Sequence, residues 1–102
     1  MRYKIIKTEE YDDWIAGETM KSRFQIAKRL EKIENEGHFG IIREDLDEGV
    51  CELKWGIGRR VYYAYIPEAK ILLLLGGNKN GQSQDIKQAK KILREYIENE
   101  TA

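Results

Sequence analysis

The hydrophobic pattern changes period along the chain and divides it into extended and helical stretches. Arg2 to Lys7 alternates, with Tyr3 and Ile5 set against Lys4 and Ile6, and predicts an opening strand ended by Thr8. Thr8 is a good N-cap, and the acidic residues after it suit the positive end of a helix dipole. This first helix carries Tyr11, Trp14 and Ile15 on its apolar side and stops at Gly17. Thr19 caps a longer helix through Glu36, in which Ile26, Leu30 and Ile33 fall on one face with Ala27 beside them. Gly37 occupies the position of a left-handed C-cap, and so short a link between the two helices predicts a hairpin.

From Phe39 the period shortens. Val50 to Trp55 alternates, with Cys51, Leu53 and Trp55 on one side and Glu52 and Lys54 on the other. Gly56-Ile57-Gly58 reads as a turn, Arg59 to Ile66 as a Val- and Tyr-rich strand, and Pro67-Glu68-Ala69 as the next turn. Lys70 to Leu75 is apolar on both faces, as a central strand is, with Gly76 and Gly77 expected to end it. Gly76 to Gln82 is expected to be a loop, and Ser83 to open a last helix whose stripe is Ile86, Ala89, Leu93 and Tyr96 or Ile97. The predicted order is β-α-α-β-β-β-α. It describes one α+β domain over residues 1–102, with an N-terminal strand and helical hairpin on a mostly antiparallel sheet and a C-terminal helix.

Composition narrows the picture. Of 102 residues, 41% are hydrophobic and 35% charged, as in a well-solvated globular domain. Cys51 is the only cysteine, so no internal disulfide is available, which favours a reducing compartment. Met1 to Glu10 lacks the apolar core of a signal peptide, and the aliphatic run Ile71 to Leu75 is too short to span a bilayer. The expectation is a cytoplasmic protein with no membrane partner.

The formal net charge is zero, so the chain has no global attraction to nucleic acid. The charges are nevertheless segregated. Thr8 to Glu18 is purely acidic, whereas Leu53 to Lys79 holds Lys54, Arg59, Arg60, Lys70 and Lys79 against Glu68 alone.

Three stretches carry a family resemblance: Phe39-Gly40 with Gly49-Val50-Cys51-Glu52-Leu53-Lys54; Gly58-Arg59-Arg60-Val61-Tyr62-Tyr63; and Leu74-Leu75-Gly76-Gly77-Asn78-Lys79 with Gln82 and Asp85-Ile86. In order and spacing they resemble the HigB-like, phage-derived branch of the RelE/ParE toxins, over nearly the whole chain. Lys54 stands where the family usually has arginine, Arg59 where it has tyrosine, and Asn78 where it has aspartate. The resemblance implies the toxin of a type II toxin–antitoxin pair, silenced by an antitoxin of helix-turn-helix type. It further implies a metal-independent endoribonuclease that needs no cofactor and cuts mRNA on the ribosome. ParE-like members share the fold and poison DNA gyrase instead. A degenerate toxin that only binds its antitoxin is the third reading.

Cutting RNA through its own 2′-hydroxyl requires a proton acceptor, cations for the phosphate and a donor for the leaving oxygen. The resemblance puts Arg60 first as the group on the scissile phosphate, with Lys79 and Lys54 as further catalytic candidates; guanidinium geometry suits phosphate oxygens. Arg43, Arg59, Tyr62, Gln82 and Asp85 are the RNA-binding candidates, Tyr62 as a stacking ring on the strand face of Arg60. The bland alternatives are concrete. Asp85 in a first helical turn favours the dipole whatever its chemistry, Gln82 is suited to capping that helix, and His38 sits at a helix C-terminus where positive charge is welcome. Trp14 and Trp55 read as core residues, and no His/Cys/acid cluster suggests a metal site.

Overall fold

Two threonines start the helices where the sequence predicts them. In the computed structural model, which describes residues 2–101 apart from the side chain of Thr101, Thr8 Oγ1 accepts the amide of Tyr11 at 3.2 Å. The same hydroxyl lies 2.9 and 3.0 Å from the carbonyls of Leu73 and Leu74, so the cap also pins the helix to the sheet. Thr19 Oγ1 accepts the amide of Ser22 at 3.1 Å. Gly37 adopts φ 69°, and its amide donates to Ile33, the expected left-handed stop.

The elements are β1 (Lys4–Lys7), α1 (Glu9–Ala16), α2 (Met20–Glu36), β2 (Ile42–Arg43), β3 (Cys51–Lys54), β4 (Arg59–Ile66), β5 (Lys70–Asn78) and α3 (Gln82–Thr101), with a 3₁₀ turn over Lys79–Gly81. The five strands run in the order β1-β5-β4-β3-β2. β1 pairs parallel with β5 and the other pairs are antiparallel, so the mostly antiparallel α+β fold holds. The short edge strand β2 is additional to the predicted order.

Helices cover both faces, because β4 and β5 are apolar on both. On one face Tyr11 of α1 and Ile26, Leu30 and Ile33 of α2 bury Leu53, Val61, Tyr63, Ile71 and Leu73. On the other, Ala89, Ile92 and Leu93 of α3 bury Tyr62, Ala64, Leu72 and Leu74. Trp14 packs at the edge of the first core, as expected, and Trp55 lies there under the Arg29 guanidinium, 4.4 Å from the ring centroid.

The central strand departs from the prediction at its end. Gly76 and Gly77 lie inside β5, which runs on to Asn78. Tyr62 pairs with Leu75 and Tyr63 with Leu73, so Leu74 is an extra residue, a bulge. Because side chains alternate with a period of two, one inserted residue reverses the facing of everything after it. Gly76 therefore lies under α1 and Gly77 under α3. A Cβ on Gly76 would sit 2.2 Å from the Trp14 ring, and one on Gly77 would sit 2.1 Å from Asp85 Oδ2. The glycines are places where the sheet is thin enough for an indole on one side and a carboxylate on the other.

Gly76→Ala is thus expected to cost about 1–3 kcal/mol, the usual range for overpacking a core. In a Trp14→Ala background the same substitution should cost much less. Denaturant unfolding of the four proteins of this double-mutant cycle measures the difference.

Candidate functional site

The strand register brings the basic candidates together. Lys54 is opposite Arg60, and Arg60 is opposite Gly77. The neighbouring rung, on the same face, runs Arg43, Glu52, Tyr62 and Leu75. These rungs lie at the end of the sheet where the 3₁₀ turn and the first turn of α3 descend, carrying Lys79, Gln82 and Asp85. Lys79 is fixed there by its backbone: its amide donates to Gly58 at 2.9 Å, and its aliphatic stem lies along the β3–β4 turn.

Among the described residues, Lys54, Arg60 and Lys79 have no carboxylate within 4 Å, whereas the other candidate cations are paired. Arg43 is bound to Asp45 at 2.7 Å on the surface, which raises its pKa through that hydrogen bond. Arg59 faces the α1–α2 side, where its Nε lies 2.6 Å from Glu18 Oε1 and 3.4 Å from Ser22 Oγ. Arg60 Nη1 donates to the carbonyls of Arg59 at 2.9 Å and Trp55 at 3.3 Å, neutral partners that leave its charge uncompensated.

Beneath these cations lies a buried polar layer, part of which alternation conceals. Glu52, on the polar side of its strand by pattern, is 0% exposed. Its Oε2 accepts from Gln82 Nε2 at 2.7 Å. Gln82 therefore ties the start of α3 to β3, a role different from the helix cap expected of it. Tyr62 is also 0% exposed, so its ring is core and offers no face to a base, contrary to the stacking role expected for it. Burial raises its phenol pKa strongly, the neighbouring Glu52 and Asp85 carboxylates raise it further, and Arg60 opposes them. Glu52, Tyr62 and Arg60 thus form one buried cluster, in which the Tyr62 phenol interacts directly with the Glu52 carboxylate. In a single sequence, the only trace of Glu52 was its place in the motif.

Asp85 sits in the first turn of α3, over Gly77 and therefore beside Arg60 in the register. Burial raises the pKa of its carboxyl. Held in this direction by desolvation, the carboxyl is a better proton acceptor than a free aspartate.

The same shift has a consequence for stability. A carboxyl that holds its proton more tightly when folded contributes stability at low pH, which is lost as pH rises through its folded pKa. Ionised Asp85 therefore costs stability at neutral pH. Asp85→Asn should raise Tm at pH 7, and its advantage over the native chain should shrink as pH falls below the folded Asp85 pKa; calorimetry across pH measures both.

No family model matches the chain. It is 33% identical over 98 residues to an uncharacterized protein of Haemophilus influenzae, covering 93% of this chain and 97% of that one. Among solved structures it resembles a double arginine-to-alanine mutant of the E. coli toxin RelE in the free state, with a TM-score of 0.70, 14% identity and coverage of 88% and 95% of the two chains. The isolated E. coli RelE toxin matches with a TM-score of 0.63 and 16% identity over 84% of this chain and 97% of that one. The toxin–antitoxin complex RelBE2 of Mycobacterium tuberculosis matches at 0.57 and 13% over 78% of this chain and 100% of that one. The chain has the RelE fold and belongs to one family with the Haemophilus influenzae protein.

Proposed function

We propose that this chain is the toxin of a type II toxin–antitoxin pair, of the HigB-like branch, and that it cuts messenger RNA on the ribosome, in the cytoplasm. The observation that carries this reading is the row Lys54–Arg60–Gly77 with Lys79 beside it, whose three cations have no acidic partner among the described residues. Lysine and arginine without carboxylates are suited to phosphate oxygens. The RelE fold and the three sequence motifs supply the context, and the RelBE2 neighbour, a toxin–antitoxin complex, supports an antitoxin as partner.

In the proposed reaction the 2′-oxygen of one nucleotide attacks the adjacent phosphorus as its proton passes to Asp85. The bond from phosphorus to the 5′-oxygen breaks as that oxygen takes a proton from water, leaving a cyclic phosphate and a 5′-hydroxyl. Arg60 and Lys79 hold the phosphate oxygens as charge builds on them, and Lys54 supports Arg60 from the next strand. Arg59, neutralised by Glu18, buttresses the turn, and Gln82 with Glu52 fixes the helix start that carries Asp85. Arg43, at the outer end of the neighbouring rung, is held by Asp45 and meets the RNA backbone beyond the cut only by giving up that pair. A neutral protein fits ribosome dependence, since the ribosome presents the RNA that weak global attraction does not gather.

Induction in bacteria without antitoxin, followed by primer extension on an abundant mRNA, tests the reading. New cuts within translated codons are expected, absent when ribosomes are blocked. Arg60→Ala should reduce cleavage about 10²–10³-fold, the usual cost of losing a transition-state charge partner, and Lys79→Ala should reduce it less. Growth arrest with intact mRNA and damaged DNA would assign the gyrase-poison reading, and absence of toxicity the degenerate one.

A further inference from the structure

A second cationic feature lies on the opposite side of the sheet from Arg60. Between the C-terminal half of α2 and the loop that follows it is a pocket of about 230 Å³ lined by Gln25, Lys28, Arg29, Lys32, His38 and Gly40. No acidic side chain lines it. Among the described residues no carboxylate lies within 4 Å of Lys28, Lys32 or His38. Glu31 and Glu36 line an adjoining cleft that shares Lys28 and Lys32 with this pocket.

The back wall is rigid. Arg29 donates through Nε to the carbonyl of Phe39 at 2.6 Å, through Nη1 to that of Lys54 and through Nη2 to that of Ile41. All three acceptors are neutral, so the guanidinium fixes the loop while keeping its full charge, and burial lowers its pKa. Gly40, at φ 77°, lets the backbone lie against this group: a Cβ there would be 3.1 Å from Arg29 Nε. The His38 amide donates to the Lys32 carbonyl at 3.4 Å, which fixes the backbone of His38 beside the pocket it lines.

We propose that this pocket is a phosphate-binding site, separate from the Arg60 row, that takes one phosphate group of a nucleic-acid strand. Two exposed ammonium groups, an amide and an imidazole surround a space backed by a fixed, uncompensated guanidinium. A tetrahedral oxyanion meets all of these requirements, whereas a neutral or cationic ligand leaves the charge unbalanced. The site stands whether or not the protein cleaves RNA, because it shares no residue with the proposed cleavage face.

The test uses ¹⁵N-labelled full-length chain carrying Arg60→Ala, so that the other face contributes less. Inorganic phosphate and a short single-stranded RNA are titrated in parallel while amide resonances are followed. Saturable shifts in the segment 25–40 are expected from both, weakened about tenfold or more by Lys28→Gln with Lys32→Gln, whereas any shifts near Lys54 and Lys79 persist in that double variant. Both lysines are exposed, so the double variant retains the fold, which the unperturbed spectrum verifies. For RNA, the slope of log K against log salt should fall by about 0.7, the loss of one single-strand phosphate contact. Saturable phosphate binding without an RNA response at these residues would keep the oxyanion site but overturn the strand as its source. Shifts that do not saturate, or that are unchanged in the double variant, would overturn the site itself.

Discussion

Two adjacent glycines in the central strand set the geometry on which the site depends. Gly76 leaves room for the Trp14 indole and Gly77 for the Asp85 carboxylate, at distances no side chain tolerates. Their facing depends on the extra residue Leu74, since without that bulge each glycine would turn to the other side. One inserted residue thus decides that the gap beside Arg60 opens toward α3, whose first turn brings Asp85 and Gln82. The Thr8 hydroxyl reaches the Leu73 and Leu74 carbonyls at this irregularity and starts α1 there, which places Trp14 over Gly76. Helix, bulge and glycine pair form one local solution.

Electrostatics sorts the cations that this frame positions. A net charge of zero conceals a division between paired and unpaired groups. Glu18 occupies Arg59, Asp45 occupies Arg43, and Glu48 holds Arg94 at 2.9 Å and Lys90 at 3.7 Å. The exposed Arg43–Asp45 and Arg94–Glu48 pairs contribute little to stability, but every pair removes a cation from competition for phosphate. Among the described candidates, Lys54, Arg60 and Lys79 keep their charge uncancelled. They lie above a buried layer in which Glu52 and Tyr62 are fully covered.

Most of the fold was legible because it follows from period and punctuation. Thr8, Thr19 and Gly37 mark helix ends by local chemistry, and the alternating and fully apolar runs mark the strands. Three features were hidden for physical reasons. The bulge at Leu74 leaves no trace in a run of four leucines, so Gly76 and Gly77 read as a strand end. The edge strand β2 has two residues, too few to show a period. Glu52 alternates correctly as a polar residue, but α3 covers that face, and only the tertiary fold tells that a polar position is buried. Of the candidate site, the sequence brought out Arg60, Lys79 and Lys54 through their motifs. Their convergence, the pairing of Arg59 with Glu18 and the burial of Tyr62 required the register.

The central claim, that this row of unpaired cations acts on RNA presented by a ribosome, is met most directly in a reconstituted translation reaction. Purified protein is added to ribosomes stalled on a defined mRNA with a vacant A site, and to the same mRNA without ribosomes. Cleavage at the vacant codon only in the presence of ribosomes, leaving a 5′-hydroxyl on the downstream fragment and lost with Arg60→Ala, is the predicted result. Intact mRNA on the stalled ribosomes, or equal cleavage by native and Arg60→Ala protein, would contradict it.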